Sequence, residues 1–205
     1  MAMYNNVWIT TDHTGKMEGM ASVSTCRDCN KRCLRNASIK GSICEKCYAE
    51  RMMRQYSNLK DRTVDNYKLL TSRILDESEL PRLNFGLFRI ESFGDIANTT
   101  QAINYLNMIY NNPFVHFGWW TKNCDILKKA IDKVGKPDNV QIVRSSLYLN
   151  KPVKKGYWFV DKVFTVYTKD FIEKNNIDIN CGGRKCIDCT RCYFEGEDEI
   201  REKKK

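Results

Sequence analysis

Nine of the ten cysteines fall into two groups. The C-terminal group is Cys181-x4-Cys186-x2-Cys189-x2-Cys192. A tetrahedral zinc usually takes a pair of ligands from each of two knuckles separated by a loop. Here three cysteines fall within seven residues. The repeated two-residue spacing wraps the chain round one face of something larger than a single ion. A cubane iron–sulfur cluster is such an object, and ferredoxins use the same run. Gly182 and Gly183 would let the backbone approach inorganic sulfide. The N-terminal group is Cys26-x2-Cys29-x3-Cys33-x10-Cys44-x2-Cys47. Cys26 and Cys29 with Cys44 and Cys47 would make a four-cysteine zinc ribbon, leaving Cys33 spare. Alternatively, three of the five hold a cluster whose fourth iron stays open. Spacing alone decides between neither. The expected cofactors are one or two 4Fe–4S clusters, with zinc as the alternative metal.

This reading requires reduced thiols. Met1 to Thr10 shows no basic segment followed by an apolar run, so no secretory signal is expected. No stretch approaches the roughly 20 apolar residues of a membrane span. A cytoplasmic chain with no membrane association is therefore expected, and there dense cysteines are metal ligands rather than disulfides. The net charge of +9 is unevenly placed. Cys26 to Arg73 holds twelve Lys/Arg against five Asp/Glu, a net of +7. Such a segment suits nucleic acid or a host protein, or is a solvated helix face. No RNA-binding signature or glycine-rich phosphate loop accompanies it.

The elements that must position these residues follow from periodicity. Val7–Thr10 and Ala21–Thr25 read as short strands leading to the first cysteines. Tyr48 to about Asp76 reads as helix, with a break near Lys60–Thr63 and an end before Pro81. Phe85–Ile90 reads as a strand and Thr99–Tyr110 as a helix capped by Asn98. Phe114–Trp120 is an aromatic strand; Asp125–Val134 is a helix closed by Gly135 and Pro137. Asn139–Ser145 is a strand, and Tyr157–Tyr167 is one long strand or two. Strands alternating with helices of ten or more residues mean βαβ units and a parallel sheet. The fold class is α/β: a partial (β/α) barrel or an open, mostly parallel sheet with cysteine-rich segments at both ends. One domain, 1–194, is expected, followed by a solvated charged tail, 195–205.

In such folds chemistry sits at the C-terminal ends of strands. That prior singles out Glu91, Ser92, Gly94 and Asp95, then Thr121 and Lys122, then Arg144 and Ser145. Asp95 is the best non-cysteine candidate; its plainer role is a cap before Thr99. Cys124 reads as a small buried hydrophobe, His116 as a core or sheet residue, and Trp119-Trp120 as packing. His13 has no evident partner. No catalytic residue is assigned.

A resemblance sharpens this. Cys44-Glu45-Lys46-Cys47-Tyr48-Ala49 resembles the Cys-x2-Cys-Tyr-Ala ending of radical S-adenosylmethionine enzymes of the spore photoproduct lyase type. Thr25-Cys26, Cys47-Tyr48-Ala49, Arg89-Ile90-Glu91-Ser92-Phe93-Gly94-Asp95, Trp120-Thr121-Lys122 and Cys186 to Cys192 follow one another in an order similar to a phage family called gene product eighty-eight. The resemblance covers roughly Thr25 to Tyr193. It implies a radical-SAM-like partial barrel with an iron–sulfur cluster after the first strand. It further implies that Gly94 and Asp95 hold the amino group of S-adenosylmethionine; their places at strand ends make Ser92, Lys122 and Arg144 the further cofactor contacts expected. The usual Cys-x3-Cys-x2-Cys spacing would need a cysteine at position 40, where this chain has Lys40. Cys33, Cys29 or Cys26 would then supply the third ligand. A phage-encoded chain would act in the host cytoplasm.

Two functions follow. The first is a cluster-bearing protein that cleaves S-adenosylmethionine reductively at the N-terminal site, with the C-terminal four thiolates closing a second cluster. Gly94, Asp95, Thr121, Lys122, Arg144 and Ser145 would then line one cavity. The second is a zinc- or cluster-stabilised module that binds nucleic acid or a host protein through segment 26–73.

Overall fold

The computed structural model describes residues 1–204. Strands β1 (Ala2–Tyr4) and β2 (Val7–Thr10) form an antiparallel hairpin. Asn5 and Asn6 both take positive φ, 44° and 66°, which is what a two-residue turn matching strand twist requires. β3 (Ala21–Val23) pairs antiparallel with β2. From β3 onward every pairing is parallel and follows chain order: β4 (Leu87–Ile90), β5 (His116–Thr121), β6 (Val140–Ser145), β7 (Lys162–Tyr167) and β8 (Glu199–Lys203). β1 and β8 remain as edges, so this eight-stranded sheet is open rather than closed.

Helices α1 (Lys31–Ala37), α2 (Tyr48–Gln55) and α3 (Ser57–Ser72) connect β3 to β4. α4 (Thr99–Tyr110) and α5 (Cys124–Val134) make the next two crossovers, and α6 (Lys169–Asn175) and the single turn α7 (Cys186–Cys189) lie between β7 and β8. The period-2 alternation of the strands separates two faces. Phe88, Ile90, Phe117, Trp119, Val140 and Ile142 join Leu70, Leu106 and Leu127 of α3, α4 and α5 in the main core. Arg89, Gly118 and Trp120 face the other way. There Gly118 leaves room that a side chain would fill, since an added Cβ would lie 2.7 Å from the Trp120 ring and 2.8 Å from Tyr193.

Several expectations need correction. The expected helix from Tyr48 breaks at Tyr56, which is extended (φ −126°, ψ 96°), rather than near Lys60–Thr63. The displaced break lets α3 reach the first strands. Asn66 accepts from Trp8 N (2.8 Å) and donates to Trp8 O (2.9 Å) and Ser24 O (3.0 Å). α1 was not expected at all; its signal is Asn30, whose side chain accepts from Arg32 N. Phe114 lies outside β5 and is 92% exposed. β7 begins at Lys162, and Tyr157–Asp161 precedes it without strand structure. The charged stretch expected to be a solvated tail supplies β8, because Ile200, its one apolar residue, is wholly buried beside β7. No helix among the described residues is long and apolar enough to cross a membrane.

Candidate metal centre and its cleft

The N-terminal thiols divide by their neighbours. Cys26 is fully buried where β3 ends, and its N–H donates to Thr63 O at 2.9 Å. Cys29 lies beside it; burial and a hydrogen bond with Cys26 push its thiol up to about 12. Cys33, on α1, adjoins them, since Tyr67 feels it together with Cys29 and Cys26. Burial raises its thiol well above the ordinary range, and the charges of Asp95, Glu91, Cys44 and Cys47 add to this. Burial also raises Cys44, opposed by Lys122 and reinforced by Cys47 and Asp95. Cys33 and Cys44 thus both feel Cys47 and Asp95. Cys47 precedes α2, whose Ala49 and Met53 pack with Phe93 and Cys47.

The C-terminal thiols hang between α6 and β8. Cys181 N donates to Arg201 O at 3.0 Å, tying this group to the edge strand. Lys16 Nζ donates to Cys181 Sγ (2.9 Å) and to Glu202 Oε1 (2.7 Å), joining the β2–β3 connection to β8. Cys186 and Cys189 bracket α7. Burial pushes the Cys192 thiol up to about 12; the Cys181 charge adds and Arg89 opposes. All ten cysteines are free thiols. Among the described residues no group of three or more His, Cys, Asp or Glu is arranged to hold a metal ion. The donor set is nonetheless of the soft type: two groups of sulfur ligands, with Lys16 aimed at one thiol.

The two cysteine groups, far apart in sequence, border one open cleft of about 1510 Å³ on the inner face of the sheet. Cys47 lines it on one side and Cys181, Cys186, Cys189 and Cys192 on the other. Of the strand-end candidates only Ser92 lines this cleft; Gly94, Asp95, Thr121, Lys122, Arg144 and Ser145 do not. At Gly94 the chain turns away from this cleft. Gly94 has φ +83°, and an added Cβ would lie 2.5 Å from Thr25 O. Asp95 is consequently buried against the end of β5. Its Oδ1 accepts from Thr121 Oγ1 (2.6 Å) and Ile96 N (2.8 Å), and its Oδ2 from Lys122 N (2.9 Å). It does not cap α4; Asn98 does, accepting from Gln101 N at 2.9 Å. Arg144 is turned to the loop after β6, donating to Lys154 O (3.0 Å) and Lys155 O (3.2 Å). Ser145 is buried on β6.

Ser92 belongs to a hydroxyl chain. Its Oγ lies 2.9 Å from Ser22 Oγ and 2.8 Å from Ser24 Oγ, and Ser22 Oγ lies 2.7 Å from His13 Nε2. His13, without a partner in the sequence reading, finds one here. Burial, then the Arg89 charge, lowers it to about 4. Glu91 is buried with φ 54°. Its Oε1 accepts from Thr25 Oγ1 (2.7 Å), Gln101 Nε2 (2.7 Å) and Tyr105 OH (2.8 Å), and its Oε2 from Thr25 N (3.1 Å). It clamps the residue before Cys26. Burial pushes its carboxyl up to about 8 against the pull of the Thr25 and Tyr105 donors.

Cys124 is buried in the main core as expected. His116 starts β5 but is exposed, its ring 4.4 Å from that of Phe194. Trp119 is core, whereas Trp120 lines the cleft. Sequence reasoning missed Lys16 and Arg89. The signal for Arg89 was its alternation with Phe88 and Ile90, which puts a cation on the face opposite the core.

Fold and site define an α/β protein built on an open, mostly parallel sheet, with Cys47 and the four C-terminal thiols on one cleft. The chain belongs to the gene product 88 family, a phage family whose pattern matches residues 5–191. No curated protein and no solved structure matches it.

Proposed function

We propose that this protein binds iron–sulfur clusters at both cysteine groups, and that the N-terminal one serves S-adenosylmethionine chemistry. What supports the reading is the shared electrostatic environment of Cys33 and Cys44: the charges of Cys47 and Asp95 raise both thiols, and Cys44 raises Cys33 as well. Three thiolates leave one iron of a cubane without a protein ligand, whereas the four C-terminal thiolates saturate theirs. A cluster with an open iron supplies chelation of S-adenosylmethionine and the electron that cleaves it.

The chain's own residues have separable tasks. Cys33, Cys44 and Cys47 would hold the open cluster, and Cys181, Cys186, Cys189 and Cys192 the closed one. If the metal is zinc, Cys26 and Cys29 with Cys44 and Cys47 would make the four-cysteine site, leaving Cys33 spare. Asp95, fixed by Thr121 and Lys122, would offer its remaining acceptor capacity to a ligand ammonium. Gly94 keeps Asp95 there by allowing the close pass over Thr25.

Protein purified without oxygen provides the test. Brown colour with iron and acid-labile sulfide is expected. Cys44→Ser and Cys189→Ser should each remove roughly half the iron, since metal binding is coupled to the integrity of each site. S-adenosylmethionine should bind the loaded protein and bind more weakly to Asp95→Ala. A colourless protein holding zinc would replace this reading with a metal-stabilised binding module for nucleic acid or a host protein.

A further inference from the structure

Arg89 is the anomaly of the cleft. Its guanidinium lies 3.9 Å from the centroid of the Trp120 ring. Its Nε is buried without a hydrogen-bond partner. Arg27 and Arg32 also bury an unpartnered Nε, but Arg27 pairs with Asp28 and Glu50, and Arg32 donates to Lys122 O. Among the described residues Arg89 has neither an ion pair nor a hydrogen bond on any side-chain nitrogen. The residue is half-buried and lines the cleft, so its shielded Nε has no partner while its two terminal nitrogens stay open to a ligand. Apart from the C-terminal thiols, on whose Cys186 and Cys192 the Arg89 charge acts, the cleft offers no spare anion. It is lined by ten lysines and arginines and only four carboxylates. All four carboxylates are engaged: Asp12 by the N-terminal amine, Glu45 by Gly41 N, Glu50 by Arg54, and Glu202 by Lys16.

We propose that Arg89 and Trp120 form the floor of a binding site for a nucleotide, whose phosphate takes the free guanidinium fork while its base stacks on the aromatic walls. A guanidinium fork matches phosphate in two parallel hydrogen bonds, which an ammonium cannot reproduce. Flat surfaces for a base lie within the same cleft: Trp120, and Tyr48, stacked on Phe93 at 5.6 Å and 54% exposed. Arg51 sits 5.8 Å from the Tyr48 ring, a cation and a stacking face side by side. The cleft, at about 1510 Å³, exceeds the few hundred to about 1,000 Å³ typical of sites for one small molecule. The nucleotide is thus either free or one unit of a single strand whose neighbouring phosphates meet the cationic rim. The inference needs no metal, but its site shares the cleft with the C-terminal thiols, so the test reads iron as well as nucleotide.

The test titrates full-length, anaerobically purified protein with AMP, with a fluorescein-labelled single-stranded twelve-mer and with inorganic phosphate. AMP and the oligonucleotide should both bind, more tightly than phosphate. Arg89→Met should weaken both about tenfold or more, and Arg89→Lys nearly as much, because charge without the fork is insufficient. Lys129→Ala, exposed on α5 away from the cleft, should change neither. If the strand is the true ligand, its affinity falls with salt by roughly 0.7 log units per log unit for each phosphate contacted. Arg51→Ala, at an exposed position that tolerates substitution, then lowers that slope even should Arg89→Met fail to fold. Absence of nucleotide binding at about 1 mM overturns the proposal. So does inorganic phosphate binding as tightly as AMP. So too does Arg89→Met stripping iron while leaving nucleotide affinity intact, which would make Arg89 a counter-ion of the C-terminal thiolates.

Discussion

At the residue scale, the chemistry around Cys26 depends on two positions that tolerate little change. Gly94 combines a positive φ with a backbone contact that no side chain can accommodate. Gly94→Ala should cost about 2 kcal/mol or more, through strain and the displacement of Thr25. Urea denaturation of the two proteins measures this, and an unchanged midpoint would contradict it. Glu91 gives a pH signature. Its carboxyl is pushed up to about 8 in the folded state, from about 4.5 in the unfolded chain. The folded protein therefore binds the proton more tightly. The associated stability is fully present below about pH 4.5 and is lost as pH rises through about 8, by up to about 5 kcal/mol. Glu91→Gln stays neutral, so its stability should change less than that of the native protein between pH 5 and 9. Parallel stability–pH curves would show that the four donors hold Glu91 ionised throughout.

At the element scale, Asn66 is the clearest single support. Its side chain makes three hydrogen bonds that fasten α3 to β2 and β3, and it is fully buried. Asn66→Ala leaves buried backbone groups of Trp8 and Ser24 unpaired, at about 1–3 kcal/mol each. A loss of about 3 kcal/mol in total is expected in thermal or urea unfolding. This support was not legible in the sequence, because Asn66 sits mid-helix, where nothing local marks a partner 58 residues away. What periodicity and capping control was legible. α4 spans the expected Thr99–Tyr110 with Asn98 as its cap, and α5 ends at Gly135 with φ 84°. The parallel strands β4 to β7 came from short apolar runs between these helices. α1 carries no apolar stripe and was missed. The end of the Arg-Ile-Glu-Ser-Phe-Gly-Asp stretch was recognisable as a strand end. The direction Gly94 gives the chain was not, since it depends on the approach of Thr25, and so the burial of Asp95 against the end of β5 could not be read from the sequence.

At the scale of the whole molecule, the C-terminal residues distinguish a solvated tail from an integral part of the fold. Glu199–Lys203 reads as charge in the sequence, yet it pairs along the whole of β7 and buries Ile200. It also anchors the C-terminal thiols. Asn180 N and Cys181 N both donate to Arg201 O, Asn180 Oδ1 accepts from Arg201 N, and Glu202 receives the Lys16 that reaches Cys181. A chain ending at Asp198 would lose these contacts together and expose β7 as a new edge with unpaired N–H and C=O groups. Truncation there should lower the melting temperature by about 10 °C or more, since several buried backbone bonds and a buried isoleucine are lost at once. The metal consequence is local. On the proposed cluster reading, the C-terminal group would lose its iron while the N-terminal thiols, held by β3, α1 and α2, would keep theirs, so iron per chain should fall by roughly half. Adding back a peptide of residues 197–205 should restore part of both, because strand addition at an open edge recovers the same main-chain bonds. A truncated protein that melts and binds iron as the full chain does would return these residues to the status of a solvated tail, and would remove the link between β8 and the candidate cluster.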